Sequence, residues 1–84
     1  MQFTYEGFTH EGGTRYFRFR SKNAAGTAST FCLAVRCLLF TENGVPLQTG
    51  PQFCLQLLDM ASTATPLDLD RFHRYSVVAD DFRP

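Results

Sequence analysis

The dipeptide Gly12-Gly13, set between two runs of alternating apolar and polar residues, constrains this chain more than any other feature. Before it, Phe3 and Tyr5 alternate with Thr4 and Glu6. After it, Phe17 and Phe19 alternate with Tyr16, Arg18 and Arg20. A period of two marks a strand with one wet face, and glycine supplies the positive φ of a tight reversal. Residues 2–9 and 14–21 therefore read as a hairpin.

The loop length sets which faces agree. A two-residue Gly12-Gly13 turn in an unbroken ladder places Glu6 opposite Phe19 and Tyr5 opposite Arg20, which mixes apolar and polar faces. A three-residue loop, Glu11-Gly12-Gly13, places Tyr5 opposite Phe19, Phe3 opposite Ser21 and Glu6 opposite Arg18. Because a slip of one residue inverts every side chain, the three-residue loop is the expected one.

The stretch STFCLAVRCLLF, residues 29–40, is apolar on both faces and has Arg36 as its sole charge. It reads either as one long strand or as a strand over about 29–35 followed by a short helix over 36–43. Gly44 would close that helix, and Pro46 fits a chain leaving it better than an interior strand, so the second reading is preferred. The segment TGPQFCLQLLDMAS carries the clearest helical pattern, over 50–62. Thr49 is placed to cap it and Pro51 lies in its first turn. Phe53, Leu57 and Met60, with Cys54, Leu58 and Ala61, form its apolar stripe. HRYSVVA, residues 73–79, reads as a last strand. The connections are a small, polar loop at about 21–29, a linker at about 62–70 and a tail over 80–84. Eighty-four residues make a single α+β domain over 1–84: a small, mainly antiparallel sheet with helices packed on one face.

The three cysteines do not converge. Cys32 and Cys37 are five apart, which points them to opposite faces of a strand or separates them by roughly 140° on a helix. Close C-x-x-C spacing is absent, so neither metal nor cofactor is expected, and the thiols read as small core hydrophobes. Nothing in the sequence pairs His10 or His73 with a cysteine, so no catalytic residue is assigned. Asp68 and Asp70 lack the glycine and distal glutamate of a calcium loop and read as a solvated edge. No glycine-rich phosphate loop is present.

Eight basic and eight acidic residues cancel, which removes any global attraction to nucleic acid or anionic membrane. The start MQFTYEG lacks a signal-peptide pattern, and the longest apolar run is too short to cross a bilayer. With an odd number of cysteines, a reducing cytoplasm is the expected setting. Nine Phe and three Tyr in so short a chain exceed what a thin core readily hides, which favours an exposed apolar patch and a homodimer.

One surface remains. In RYFRFRSK, alternation places Tyr16, Arg18 and Arg20 on a single sheet face, and Arg74 of the last strand can join them. Arg and Tyr are enriched at protein interfaces, so this face is the expected contact surface of a non-catalytic protein-interaction module. An arginine-lined aromatic also resembles in principle a platform for single-stranded nucleic acid, the first alternative. However, the glycines of the RNA-recognition strand pattern are missing. A small thiol or metal enzyme is the second alternative. The plainest reading is a solubilising face on which Glu6 balances some of the arginines.

Overall fold

The computed structural model describes residues 2–22, 26–64 and 71–82. Strands β1 (Thr4–Glu11), β2 (Thr14–Lys22) and β3 (Ala28–Arg36) form an antiparallel meander. Helices α1 (Cys37–Glu42) and α2 (Gly50–Ala64) follow, separated by a 3₁₀ turn over Leu47–Thr49. A short strand β4 (Tyr75–Ser76) then joins the far edge of β3 in parallel, giving the order β1-β2-β3-β4. The fold is α+β, with its helices on one side of a mixed sheet.

The hairpin reaches the expected Tyr5–Phe19 pairing, but not through the expected three-residue loop. The loop has two residues, with Glu11 opposite Thr14 and both glycines at positive φ, 56° and 77°. The register slips inside β1, where Tyr5 lies opposite Phe19 and Gly7 opposite Arg18, leaving Glu6 as the extra residue of a β-bulge. Gly7 permits this with a φ of 117°. Tyr5 thus reaches Phe19, with ring centroids 5.3 Å apart. The pairing of Glu6 with Arg18 does not occur. The three-residue loop presumed that only the turn could set register, whereas a bulge within the strand restores the faces as well.

The stretch 29–40 divides into strand and helix at Arg36 and Cys37. Two bonds close α1: Val45 N donates to Phe40 O at 2.8 Å, and Gly44 N donates to Thr41 O at 3.2 Å. With Gly44 at a φ of 67°, this is a Schellman C-cap, which ends the helix after six residues. Thr49 does not point its hydroxyl into α2. It donates to Pro46 O at 2.7 Å instead, tightening the 3₁₀ turn.

The core lies between the sheet and α2. It contains Phe17 and Phe19 of β2, Phe31, Leu33 and Val35 of β3, Phe40 of α1, and Cys54 and Leu58 of α2. The two layers approach closely at Gly50, where an added Cβ would stand 2.5 Å from Phe17 Cζ. On α2 the innermost positions are Cys54, Leu58 and Ala61, while Met60 is 67% exposed and leaves the expected stripe.

Residues 79–82, assigned to a tail from position 80, form a 3₁₀ turn. There Phe82 stacks on Phe53 at 4.2 Å and meets Phe40 edge-on at 5.6 Å. The last strand is two residues long rather than seven, because the side chain of Asp81 turns the chain. Its carboxylate accepts from Tyr75 Oη at 2.7 Å and from Val78 N at 3.0 Å. The expected loop at 21–29 is narrowed by strand residues at both ends, and α2 runs to Ala64, two residues into the expected linker. Asp68 and Asp70 lie outside the described residues.

Of the nine Phe, five are buried, and Phe3, Phe53 and Phe82 pack half-buried against the core. Phe8 is the exposed one, at 44%, beside Tyr5 at 39%. The thin core holds more aromatic surface than composition implied, because four of the rings form a contiguous cluster of Phe17, Phe40, Phe53 and Phe82.

Candidate functional site

The helices leave one sheet face open, and alternation fixes what it shows. Ladder pairs run across it from Tyr16 to Ala34, Arg18 to Cys32 and Arg20 to Thr30. β2 thus contributes a row of large side chains and β3 a row of small ones. The small row is the floor of a groove of about 620 Å³, walled by Tyr16 on one side and by residues 73–76 on the other.

Two of the four expected site residues, Tyr16 and Arg74, line this groove. Arg18 and Arg20 share the face of Tyr16 but are held locally. Arg18 donates to Thr9 Oγ1 at 2.5 Å, and Arg20 pairs with Glu6 at 2.8 Å. Glu6 does balance an arginine, but the bulge swings it to Arg20 instead of Arg18. Both arginines are thereby tied to β1, on the same face as the groove but not among the residues that line it.

The far wall was not legible in the sequence. His73 Nδ1 donates to Thr30 O at 2.8 Å, covering the β3 edge ahead of β4, and its ring stacks on Phe31 at 4.7 Å. That bond places the proton on Nδ1. Burial, the hydrogen bond to Asp81 and that carboxylate's charge push the Tyr75 phenol up to about 12, so the hydroxyl that joins this wall to the C-terminal turn stays protonated at ordinary pH. The adjacency of His73 and Thr30 comes from a parallel crossover and has no signature in the local sequence.

Charge is separated between the layers. Arg18, Arg20, Lys22, Arg36 and Arg74 stand on or beside the open face, against Glu6 and Glu11. The other described acids, Glu42, Asp59, Asp80 and Asp81, belong to the helices and the C-terminal turn. Arg15 and Arg71 lie over aromatic rings, Arg15 at 4.5 Å from the Phe8 centroid and Arg71 at 5.1 Å from that of Phe72. Overall neutrality conceals a basic face.

The cysteines occupy three environments. Cys54 is fully buried, and burial, with a smaller contribution from Cys32, pushes its thiol up to about 12. Cys32 is half-buried in the groove floor. Cys37 opens α1 with its Sγ 4.0 Å from His10 Nδ1, a cysteine–histidine contact with no signal in the local sequence. It arises because the tight turn ends β1 beside the first residue of the helix. Among the described residues, no three His, Cys, Asp or Glu side chains group as metal ligands, and no helix is long and apolar enough to cross a membrane.

No protein-family model, curated protein or solved structure matches the chain.

Proposed function

We propose that the protein is a non-catalytic interaction module that docks an acidic, extended segment of a partner protein along its open sheet face. The observation that carries this reading is the charge balance of the two layers: Arg18, Arg20, Lys22, Arg36 and Arg74 outnumber Glu6 and Glu11 on or beside the open face, Arg74 lines its groove, and the other described acids belong to the helices and the C-terminal turn. A floor of Thr30, Cys32 and Ala34 admits a backbone, Tyr16 offers a flat apolar contact, and Arg18, Arg20 and Arg74 meet carboxylates. Three free cysteines on separate elements accord with a reducing cytoplasm as its setting. Self-association belongs to the same proposal. It would use the uncovered edge of β1 with Tyr5 and Phe8, and sedimentation showing a monomer at high micromolar concentration would remove it.

Affinity capture from a native lysate, with and without nuclease, tests the main reading. Changing Arg18, Arg20 and Arg74 together to Ala is expected to abolish recovery of an acidic partner while the protein stays folded. Interface anchors of this kind each contribute on the order of 1–4 kcal/mol. Unchanged recovery would reduce the face to a solubilising one. Tyr16 among arginines favours single-stranded nucleic acid as the second reading. In that case nuclease would strip the captured material, and affinity would fall linearly with the logarithm of salt concentration.

A further inference from the structure

We propose that Cys37 and His10 form a reactive thiol site at which the protein accepts a thiol group from a small disulfide carrying a carboxylate, such as oxidised glutathione. The two side chains come from separate elements and meet at the turn end of the sheet, Sγ to Nδ1 at 4.0 Å. Cys37 is fixed there by its own amide, which donates to Gly13 O at 2.9 Å. Cys37 lines a groove of about 420 Å³ together with the Gly12-Gly13 turn, Arg36, Leu38 and Leu47. Nothing stands within 4 Å of where a Cβ would lie on either glycine, so the approach over the turn is open. Leu38 and Leu47 suit an apolar thiol stem, and Arg36 supplies a cation for its carboxylate.

The chemistry balances within the pair and the incoming disulfide. The Sγ proton moves to His10 Nδ1, and the thiolate attacks one sulfur of the disulfide. The S–S bond breaks, and the departing thiolate takes the proton back from the imidazolium. The products are a mixed disulfide on Cys37 and one free thiol, with no external oxidant. His10 must carry its resting proton on Nε2, the opposite tautomer from His73. The 4.0 Å separation is loose for a resting contact and would tighten as charge develops. Arg15 lies opposite His10 in the ladder and Arg36 lines the groove, while the acid of the same turn is Glu11, next to His10. This is a single stoichiometric modification, independent of the docking reading.

The test is a mass-spectrometric time course of the native protein with oxidised glutathione, mapping adducts by peptide. Cys37 is expected to be modified first, Cys32 later, and the buried Cys54 only in denaturant. Replacing His10 with Asn should slow modification of Cys37 by about tenfold or more while the rate at Cys32 stays unchanged. If Cys37 reacts no faster than Cys32 in the unaltered protein, the site is overturned. If His10→Asn leaves the Cys37 rate where it was, the role of His10 fails and the thiol is merely accessible.

Discussion

β1 and β2 are partners in one hairpin, paired from Thr4 opposite Arg20 to Glu11 opposite Thr14, yet they live in different solvents. β2 buries Phe17, Phe19 and Ser21, whereas every residue of β1 except Gly7 is exposed. Both strands alternate aromatic and polar residues, so alternation alone does not separate them. The difference lies above the sheet. Helix α2 packs over β2 and β3 and stops short of β1, leaving Tyr5 and Phe8 to lean against the rings of Phe19 and Phe17 without a lid. Pairing places a side chain on a face; only a second layer takes it out of water.

This contrast can be broken most directly by removing one aromatic from each strand. Phe17→Ala is expected to cost about 3–5 kcal/mol, the usual loss for a large buried ring. Phe8→Ala, at an exposed position, should cost about 1 kcal/mol or less beyond the ring contact it gives up. Urea melts of the two variants would show the asymmetry as a large and a small shift in midpoint. Equal shifts would mean that β1 is covered in solution, as a β1-mediated dimer would require.

Gly50→Ala probes the lid itself. Its Cβ would stand 2.5 Å from Phe17 Cζ and 3.3 Å from Phe40 Cζ, both in rings that are fully buried and cannot swing clear. Overpacking of this kind typically costs about 1–3 kcal/mol, even though alanine is the better helix former. A stabilised variant in thermal melts would show that the layers are less tightly apposed than described.

Gly7→Ala addresses the bulge. There the φ of 117° disfavours any side chain, while the nearest atom to an added Cβ is the end of the Arg18 side chain at 4.0 Å. Backbone strain, not crowding, therefore sets a cost of about 1–3 kcal/mol. Backbone amide shifts should change around Glu6 and Arg18 and be silent at the Gly12-Gly13 turn. The smallest effect belongs to the Arg20–Glu6 pair. Arg20→Ala should move stability by about 0–1 kcal/mol, because the Arg20 side chain is more than half exposed. A larger loss would mean that the pair holds the bulge in place.

The hairpin, the break of 29–40 into strand and helix, and the α2 segment were readable because local signals agree there. Gly12-Gly13, Gly44 and the period-3.6 stripe each act over a few residues. The candidate face was half readable. Alternation assigned Tyr16, Arg18 and Arg20 to one side correctly, because their neighbours Phe17 and Phe19 needed the other. The groove that gives the face a shape was not, since its far wall of residues 73–76 arrives through a crossover. Cys37 and His10, 27 residues apart, met for the same kind of reason. Misreadings cluster where tertiary contact overrides local pattern: the seven-residue last strand, the tail holding Phe82, and Met60 on the apolar stripe.

The sequence by itself determined the class of fold, the two helices and which side of β2 is apolar, because period, turn glycines and caps are short-range properties. Tertiary structure decided which alternating strand is buried, where the register slips, and how a neutral chain sorts its charges into a basic sheet face and an acidic helical layer. Those outcomes depend on which elements lie over one another. No window of a dozen residues contains that information, since burial and charge separation are properties of two layers and not of one segment.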